Sequence, residues 1–588
     1  MQLILQAVEV LAGPHRTATA VTSVPAVVPV GPVEVWLAPD GPAGIAWSFA
    51  NRGDAAVRVR SICLAYAVVD AIEPVRMFRN GYQSWSPTGV ATLGVDVDPS
   101  TLADLEFMQA SQHADQRRAE DGELRSEWVT LLHDARDAAP LLLGFEACSE
   151  HDGTFRLRRD AAGRIELRVE AFLGDALIAP GEQRRLHTVT VDDDEAPAHG
   201  KLDAWATRVG RAAGARISAP YQVGWCSWYQ YFHDVTEADL RGNLARSADW
   251  PFEVFQLDDG FQRAIGDWLA TNERFPSTLD TLAGAIAAEG RTPGLWLAPF
   301  LAAPDAQVAR DHPGWMARHQ RDGREPRPLR AWWNPPWGGG DRGFMHGLDT
   351  TDPEVLDHLE QTAHELVDAG FRYLKLDFTF APTHDGVWSD PTRTPAQRVR
   401  AGFEAIRRGA GDDTFILGCG VPLANVVGVV DGNRVGQDVA PHWASAETEM
   451  VQGYGDVQPS TRAAYGNTVN RSFMHRRLWL NDPDCLMLRS EDTALTPAAA
   501  RTWAHTVGLS GGMALVSDDL ALLGPPERAL LDEVTALGRA SDAAALAGRP
   551  AHSDDLMDRT VPRHYTAAGH ELAVLPDSGA STLDRPGA

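Results

Sequence analysis

The residues best able to do chemistry in this chain are single carboxylates that close short apolar runs. Asp377 ends the run that starts at Tyr373, with Lys375 two residues before it, and Asp258-Asp259-Gly260 ends the run that starts at Val254. Arg434 and Asp438 lie four residues apart, and Asn481, Asp482 and Asp484 end the run from Leu478. On a β-strand, residues two apart share a face, so the Lys375 ammonium stands beside Asp377 and favours its ionised, nucleophilic form. The neighbours of Asp438 up to Pro441 are mostly apolar, which favours the protonated carboxyl of a general acid. Two single carboxylates on different strands suit glycoside hydrolysis, in which one attacks or activates water and the other donates a proton. Spacing alone leaves open which of the two takes which role. Tryptophans such as Trp228 and Trp296 stand near the same run ends, in a chain holding 18 of them, and aromatic faces stack on the C–H patches of sugars.

Each feature also has a plainer reading. A lone Asp at a strand end is equally a helix N-cap or turn former. Asp258-Asp259-Gly260 reads as a simple turn, and Lys375–Asp377 as a structural ion pair. Cys226 and Cys419 read first as small buried core residues. His233, His346, His384 and His442 match no ligand spacing and are taken as structural or peripheral. Trp332, Trp333 and Trp337 are either a loop packing cluster or an outer sugar subsite. Trp337–Asp341 (WGGGD) lacks the Lys-Ser/Thr and the strand–helix setting of a phosphate loop.

The elements that must position these residues follow from texture. Residues 1–215 hold many short alternating runs, among them Val33–Leu37, Ala56–Ala65, Leu141–Glu146, Thr154–Leu157, Ile165–Glu170 and Arg185–Val191, which predict an antiparallel sandwich. Met77–Pro87 stands apart, with three aromatic residues but too polar for a buried strand. From 216 to 520 come eight apolar runs: Val223–Trp228, Val254–Asp259, Gly294–Phe300, Tyr373–Phe378, Phe415–Gly420, Asn433–Asp438, Leu478–Asp484 and Met513–Asp518. Helical patterns such as Pro353–Ala369 and Pro395–Gly409 lie between them, with Gly370 and Gly409 where helix ends belong. Eight strands alternating with helices predict a (β/α)8 TIM barrel, whose active site forms at the C-terminal ends of the strands. Residues 521–588 predict a short C-terminal β region, with a strand pair within His564–Leu575 and a loose tail over the last dozen residues.

Composition narrows the function. The 588 residues carry 53 Lys+Arg against 80 Asp+Glu, a net charge of −27 that disfavours nucleic acid and anionic membrane as partners but is indifferent to a neutral sugar. The five cysteines are odd in number and far apart, with no C-x-x-C pair, against a disulfide framework or a zinc knuckle. No H-E-x-x-H or clustered histidines suggest a metal, so no metal and no cofactor are expected. The first residues lack a signal-peptide pattern, and the default expectation is a reduced, cytoplasmic protein.

These runs, taken in order, resemble glycoside hydrolase family 36, the bacterial α-galactosidases of clan D. The matching stretches are Arg79–Trp85 (RNGYQSW), Val223–Tyr229 (VGWCSWY), Gln256–Gly260 (QLDDG), Gly294–Phe300 (GLWLAPF), Tyr373–Phe378 (YLKLDF), Leu417–Leu423 (LGCGVPL), Asp431–Pro441 (DGNRVGQDVAP) and Trp479–Asp484 (WLNDPD). The resemblance implies an N-terminal β-supersandwich, a catalytic barrel and a C-terminal β domain. It also implies a retaining double displacement on small α-galactosides, with Asp377 as nucleophile, Asp438 as acid/base, and their carboxyl groups about 5–5.5 Å apart. Asp258 and Asp259 match the pair that bonds the 4- and 6-hydroxyls, Lys375 and Arg434 the cations on ring hydroxyls, and Trp228 and Trp296 the pocket walls. Cys419 matches a residue near the 2-position, where a thiol fits a free hydroxyl better than an acetamido group. Trp85 matches a tryptophan supplied by the sandwich domain, within the chain or across a subunit boundary, which leaves a homo-oligomer open. Gln437 stands where close relatives often carry Pro or Ser, and Asn433 where an apolar residue is more usual. The alternatives are an α-N-acetylgalactosaminidase or related α-glycosidase or transglycosylase and, from another class, a non-catalytic carbohydrate-binding protein, which would not need Asp377 and Asp438 together.

Overall fold

The computed structural model describes residues 1–41, 44–101, 119–137, 139–319, 327–338, 343–444 and 459–584. Its first part is two antiparallel sheets, one of six strands and one of eight. The alternation seen in the sequence is the cause. Along Val33–Asp40 every second residue is buried up to Leu37, and the long strands Val57–Val69 and Ile165–Ile178 pair over most of their length. Val35, Leu37, Phe49, Ile62, Leu64, Leu167 and Val169 fill the interior between the sheets. Met77–Pro87 departs from expectation. Arg76–Arg79 is a strand, and the residues from Asn80 to Thr88 run on as a buried loop despite their polarity.

The helix Ala198–Ala212 leads into a parallel barrel. Its strands are β1 Val223–Cys226, β2 Val254–Leu257, β3 Thr292–Leu297, β4 Tyr373–Leu376, β5 Phe415–Gly418, β6 Gly432–Arg434, β7 Leu480–Asp482 and β8 Ala514–Val516. Neighbours pair in sequence order and β8 pairs back onto β1. The seam between β7 and β8 is carried by the Met513 N–H to the Asn481 carbonyl (3.0 Å) and the Leu486 N–H to the Leu515 carbonyl (2.7 Å). All eight apolar runs appear as strands, each shorter at its C-terminal end than the run that marks it, because the chain turns out of the ladder at the barrel mouth.

Two outer helices show how the chain punctuates itself. Pro353–Asp368 starts on the Asp352 side chain, which accepts the Glu354 N–H, and ends before Gly370 at φ 111°. Pro395–Ala410 starts on a capping box of Thr394 and Gln397. Its end is Gly411 (φ 73°), not Gly409. Gly409 is inside the helix, where a Cβ would lie 1.9 Å from the Glu360 carbonyl oxygen, so the two helices approach backbone to backbone. After the barrel comes the 22-residue helix Pro525–Leu546, which the sequence texture did not suggest. A three-stranded sheet follows, its last strand Ala580–Asp584 lying in what reads as a loose tail. Among the described residues no helix is long and apolar enough to cross a membrane.

Sandwich and barrel meet through the loop Asn80–Thr88. Its Ser84 N–H bonds the Val421 carbonyl, the Leu423 N–H bonds the Tyr82 carbonyl, and both follow β5. Beneath it sits Arg471, fully buried, whose guanidinium donates to the carbonyls of Gly81, Gln83, Ser84 and Ser86 and to that of Val435 beyond β6. No carboxylate among the described residues pairs with it, and burial pulls it down to about 9, still charged at neutral pH. Arg471→Met leaves those buried carbonyls without their donor, a loss on the order of 4 kcal/mol. The expected outcome in thermal denaturation is a Tm about 3–6 °C lower, with Arg471→Lys recovering part of it. An unchanged Tm would show that the carbonyls find other donors.

Candidate active site

The ends of β2, β3 and β4 build one side of the barrel mouth. Asp258 leaves β2 with its own N–H on the Ser227 hydroxyl, and its carboxylate takes the Lys375 ammonium at 3.0 Å and the Gln256 amide. Lys375 also faces Asp377 at 3.8 Å. Burial opposes the charge on Lys375, but Asp258 and Asp377 outweigh it and hold the ammonium well above the usual lysine value. Asp377 receives the Trp296 indole N–H at 3.1 Å and the Phe378 N–H at 2.8 Å, so hydrogen-bond donors from two strands converge on one carboxylate.

Phe378 holds this geometry under strain. Its φ of 51° is uncommon for a residue with a side chain, and its ring is gripped by Trp337 (4.8 Å), Trp85 (5.1 Å) and Trp332 (5.1 Å). Trp85 arrives within the same chain on the sandwich loop and packs with Phe380 and Cys419. Gly420 (φ 53°) is required there, since a Cβ would stand 2.9 Å from the Trp85 ring and 3.0 Å from the Phe378 nitrogen. Burial, then the nearby Asp377, pushes the Cys419 thiol well above its usual range.

Asp259 lies next along the mouth and is bonded by the Trp337 indole N–H (2.6 Å), the Gln262 amide (2.6 Å) and His233 Nδ1 (2.9 Å). Trp228 stands edge-on to His233 at 5.0 Å. The spacing argument left His233 peripheral and Trp337 undecided; both touch an expected site residue. Of the loop Pro326–Asp341, Pro326 and residues 339–341 lie outside the described residues.

The other side of the mouth belongs to β6 and β7. Arg434 binds Asp482 through Nε (2.9 Å), Asp438 through Nη1 (3.0 Å) and Asp484 through Nη2 (2.9 Å). Asp484 also accepts the Tyr229 hydroxyl and the Val439 N–H (2.9 Å). Burial, against the pull of Arg434 and with help from Asp438 and Asp482, pushes Asp484 up to about 6. Asp438 is likewise raised, by burial first and then by the Asp377 and Asp258 carboxylates, against Arg434 and Lys375.

All ten expected residues therefore gather at one end of the barrel. Trp337, left open between packing and a sugar subsite, joins them, and Phe378, His233, Tyr229 and the grip of Asp482 and Asp484 on Arg434 were not expected. No local pattern marks Phe378 or His233, whereas Asp482 and Asp484 were visible at a strand end and lacked only a partner. Among the described residues, His199, His552 and Asp554 form a group whose ligand atoms lie within 4.8 Å of one another, and none of the mouth residues belongs to it.

Residues 220–387 match the family model "Melibiase". The α-galactosidase AgaA of Geobacillus stearothermophilus is 23% identical over 290 residues, which span 47% of this chain and 37% of that relative. Its crystal structure, described as a GH36 α-galactosidase, superposes with a TM-score of 0.62 at 14% identity over 98% of this chain and 79% of the other, a likeness of fold. The α-galactosidase TtGalA of Thermus thermophilus, solved in complex with stachyose, superposes with a TM-score of 0.66 at 27% identity over 87% of this chain and 98% of the other. The resemblance to glycoside hydrolase family 36 and the sandwich-plus-barrel fold drawn from the motifs are borne out.

All five cysteines, Cys63, Cys148, Cys226, Cys419 and Cys485, are buried, and none forms a disulfide. Disulfide exchange needs an accessible thiolate. A thiol titration with Ellman's reagent is expected to find no reactive thiol in the native protein within minutes and five after denaturation. A fast-reacting native thiol would contradict the burial of Cys419 against Trp85.

Proposed function

We propose that this chain is a retaining exo-α-galactosidase that removes terminal α-D-galactosyl residues from small galactosides. The observation that carries the reading is the contrast between two carboxyl groups in one mouth. Asp377 is surrounded by N–H donors and an ammonium, whereas burial and neighbouring carboxylates raise Asp438 above the usual carboxylate value, the direction a general acid needs. That is the division of labour between nucleophile and general acid.

In the first step the Asp377 carboxylate attacks the anomeric carbon. The bond from that carbon to the leaving oxygen breaks, and Asp438 gives its proton to that oxygen. A covalent galactosyl ester results. In the second step Asp438 takes a proton from water, the water oxygen attacks the same carbon, and the ester bond returns its electrons to Asp377. Two inversions retain the configuration. Asp258 and Asp259 accept from the 4- and 6-hydroxyls, which makes the axial 4-hydroxyl the point of selection for galactose. Lys375 and Arg434 hold ring hydroxyls, and Trp228, Trp296 and Trp85 wall the pocket. Cys419, near the 2-position, favours a free hydroxyl there.

The same proposal divides the chain at about residues 215 and 520 into sandwich, catalytic barrel and C-terminal region. It takes the enzyme as cytoplasmic and acting on neutral sugar rather than nucleic acid, supported by five cysteines that form no disulfide and the net charge of −27. It calls on no metal or cofactor for the reaction.

The test is turnover of aryl α-D-galactoside beside the α-N-acetylgalactosaminide and α-glucoside. Wild type is expected to favour the galactoside and Asp377→Asn to fall below detection. Asp438→Asn is expected to lose about 10²–10⁴-fold on a poor leaving group and far less on dinitrophenyl galactoside, with azide trapping an α-galactosyl azide. Silence on all three sugars from folded protein, or a β-configured azide product from Asp438→Asn, would overturn the reading.

A further inference from the structure

A carboxyl group 3.0 Å from a guanidinium ordinarily gives up its proton, and a carboxylate cannot protonate a leaving group. Asp438 is in that contact, yet the proposed mechanism needs it protonated near neutral pH. The geometry around Arg434 resolves the conflict. Its three nitrogens each meet a different carboxylate: Nε meets Asp482, Nη2 meets Asp484, and Nη1 is left for Asp438. Asp482 and Asp484 are almost wholly buried, whereas the Asp438 side chain is 37% exposed and reaches the mouth. We propose that Asp482 and Asp484 are positioning residues for the acid/base: they neutralise the Arg434 guanidinium from below, so that Arg434 orients Asp438 without stripping its proton.

Two further contacts fit this role. The Val439 N–H donates to Asp484 at 2.9 Å, which fixes the chain beside Asp438, and the Asp484 N–H donates to Asp482 at 2.9 Å, which ties the two carboxylates together. The other groups facing Asp438 among the described residues are Asp377 and Lys375 from β4, Asp258 from β2, Tyr229 after β1 and Cys419 after β5. Asp258 and Asp377 share the one ammonium of Lys375. Charge on that side is therefore already committed, and Arg434 is the cation whose balance sets the proton on Asp438.

The inference rests on Asp438 being the acid/base, and the experiment separates the two claims. The pH dependence of kcat/KM is measured for wild type, Asp484→Asn, Asp482→Asn and Asp438→Asn, with a phenyl galactoside that needs protonation and a dinitrophenyl galactoside that does not. Removing either buried charge returns Arg434 to Asp438. The alkaline limb with the phenyl substrate is then expected to move down by about one pH unit in Asp484→Asn and Asp482→Asn. With the dinitrophenyl substrate the limb is expected not to move, a difference that a general loss of structure would not produce. Asp482→Asn carries the test alone if Asp484→Asn does not fold. An alkaline limb that stays in place, or rises, overturns the inference. If Asp438→Asn keeps the limb with the phenyl substrate, the assignment of the acid/base is what has failed.

Discussion

Six carboxylates, Asp258, Asp259, Asp377, Asp438, Asp482 and Asp484, meet at one end of the barrel around Lys375 and Arg434, and the cost of burying that charge governs what surrounds it. A buried carboxylate without donors is expensive enough to neutralise itself or to break the fold. Here almost every oxygen has an assigned donor. The donors are of unusual kinds for a hydrophobic mouth: the indole N–H groups of Trp296 and Trp337, the hydroxyl of Tyr229 and the backbone N–H groups of Phe378 and Val439. The tryptophans thus serve twice, as apolar walls and as hydrogen-bond donors. That explains why aromatic and acidic residues interleave at the strand ends.

Meeting those demands requires backbone that ordinary loops do not supply. Phe378 takes a left-handed conformation just after its N–H bonds Asp377, and three tryptophan rings pack against its side chain. One of the three comes from the sandwich, which makes that domain part of the site. The loop carrying Trp85 is polar and buried, so its carbonyls need a donor, and Arg471 supplies it while also bonding the end of β6. The sandwich loop and the ends of β4 and β6 are joined by this chain of contacts. A disturbance in the loop therefore reaches the neighbourhood of both Asp377 and Asp438.

How much of this was legible in the sequence depends on range. The strands of sandwich and barrel were, because burial of one face or both writes itself as alternation or as an apolar run. Their ends were not, because the ladder stops where polar residues turn toward the mouth, and an apolar count cannot see that turn. Gly409 was misread because a stop signal and a close approach look alike without the neighbouring helix. The expected site residues were reachable because each closes a strand or carries a family motif. Arg471 was not: its partners at Gly81–Ser86 lie almost 400 positions away, and nothing local marks a buried arginine from a surface one.

The mouth divides into two halves with one fixed cation each. Lys375 serves Asp258 and Asp377 on the β2–β4 side, and Arg434 serves Asp438, Asp482 and Asp484 on the β6–β7 side. The ratio of carboxylates to cation differs: two share Lys375, and three share Arg434. Asp377 takes the N–H groups of Trp296 and Phe378 beside the Lys375 ammonium, whereas burial and the Asp377 and Asp258 carboxylates raise Asp438 against Arg434 and Lys375. Asp377 and Asp438, chemically identical, thus meet different surroundings, and the proposed division of tasks rests on that difference. Neither residue's own neighbours in the sequence would have sufficed, since both halves assemble only when distant strands close into one barrel.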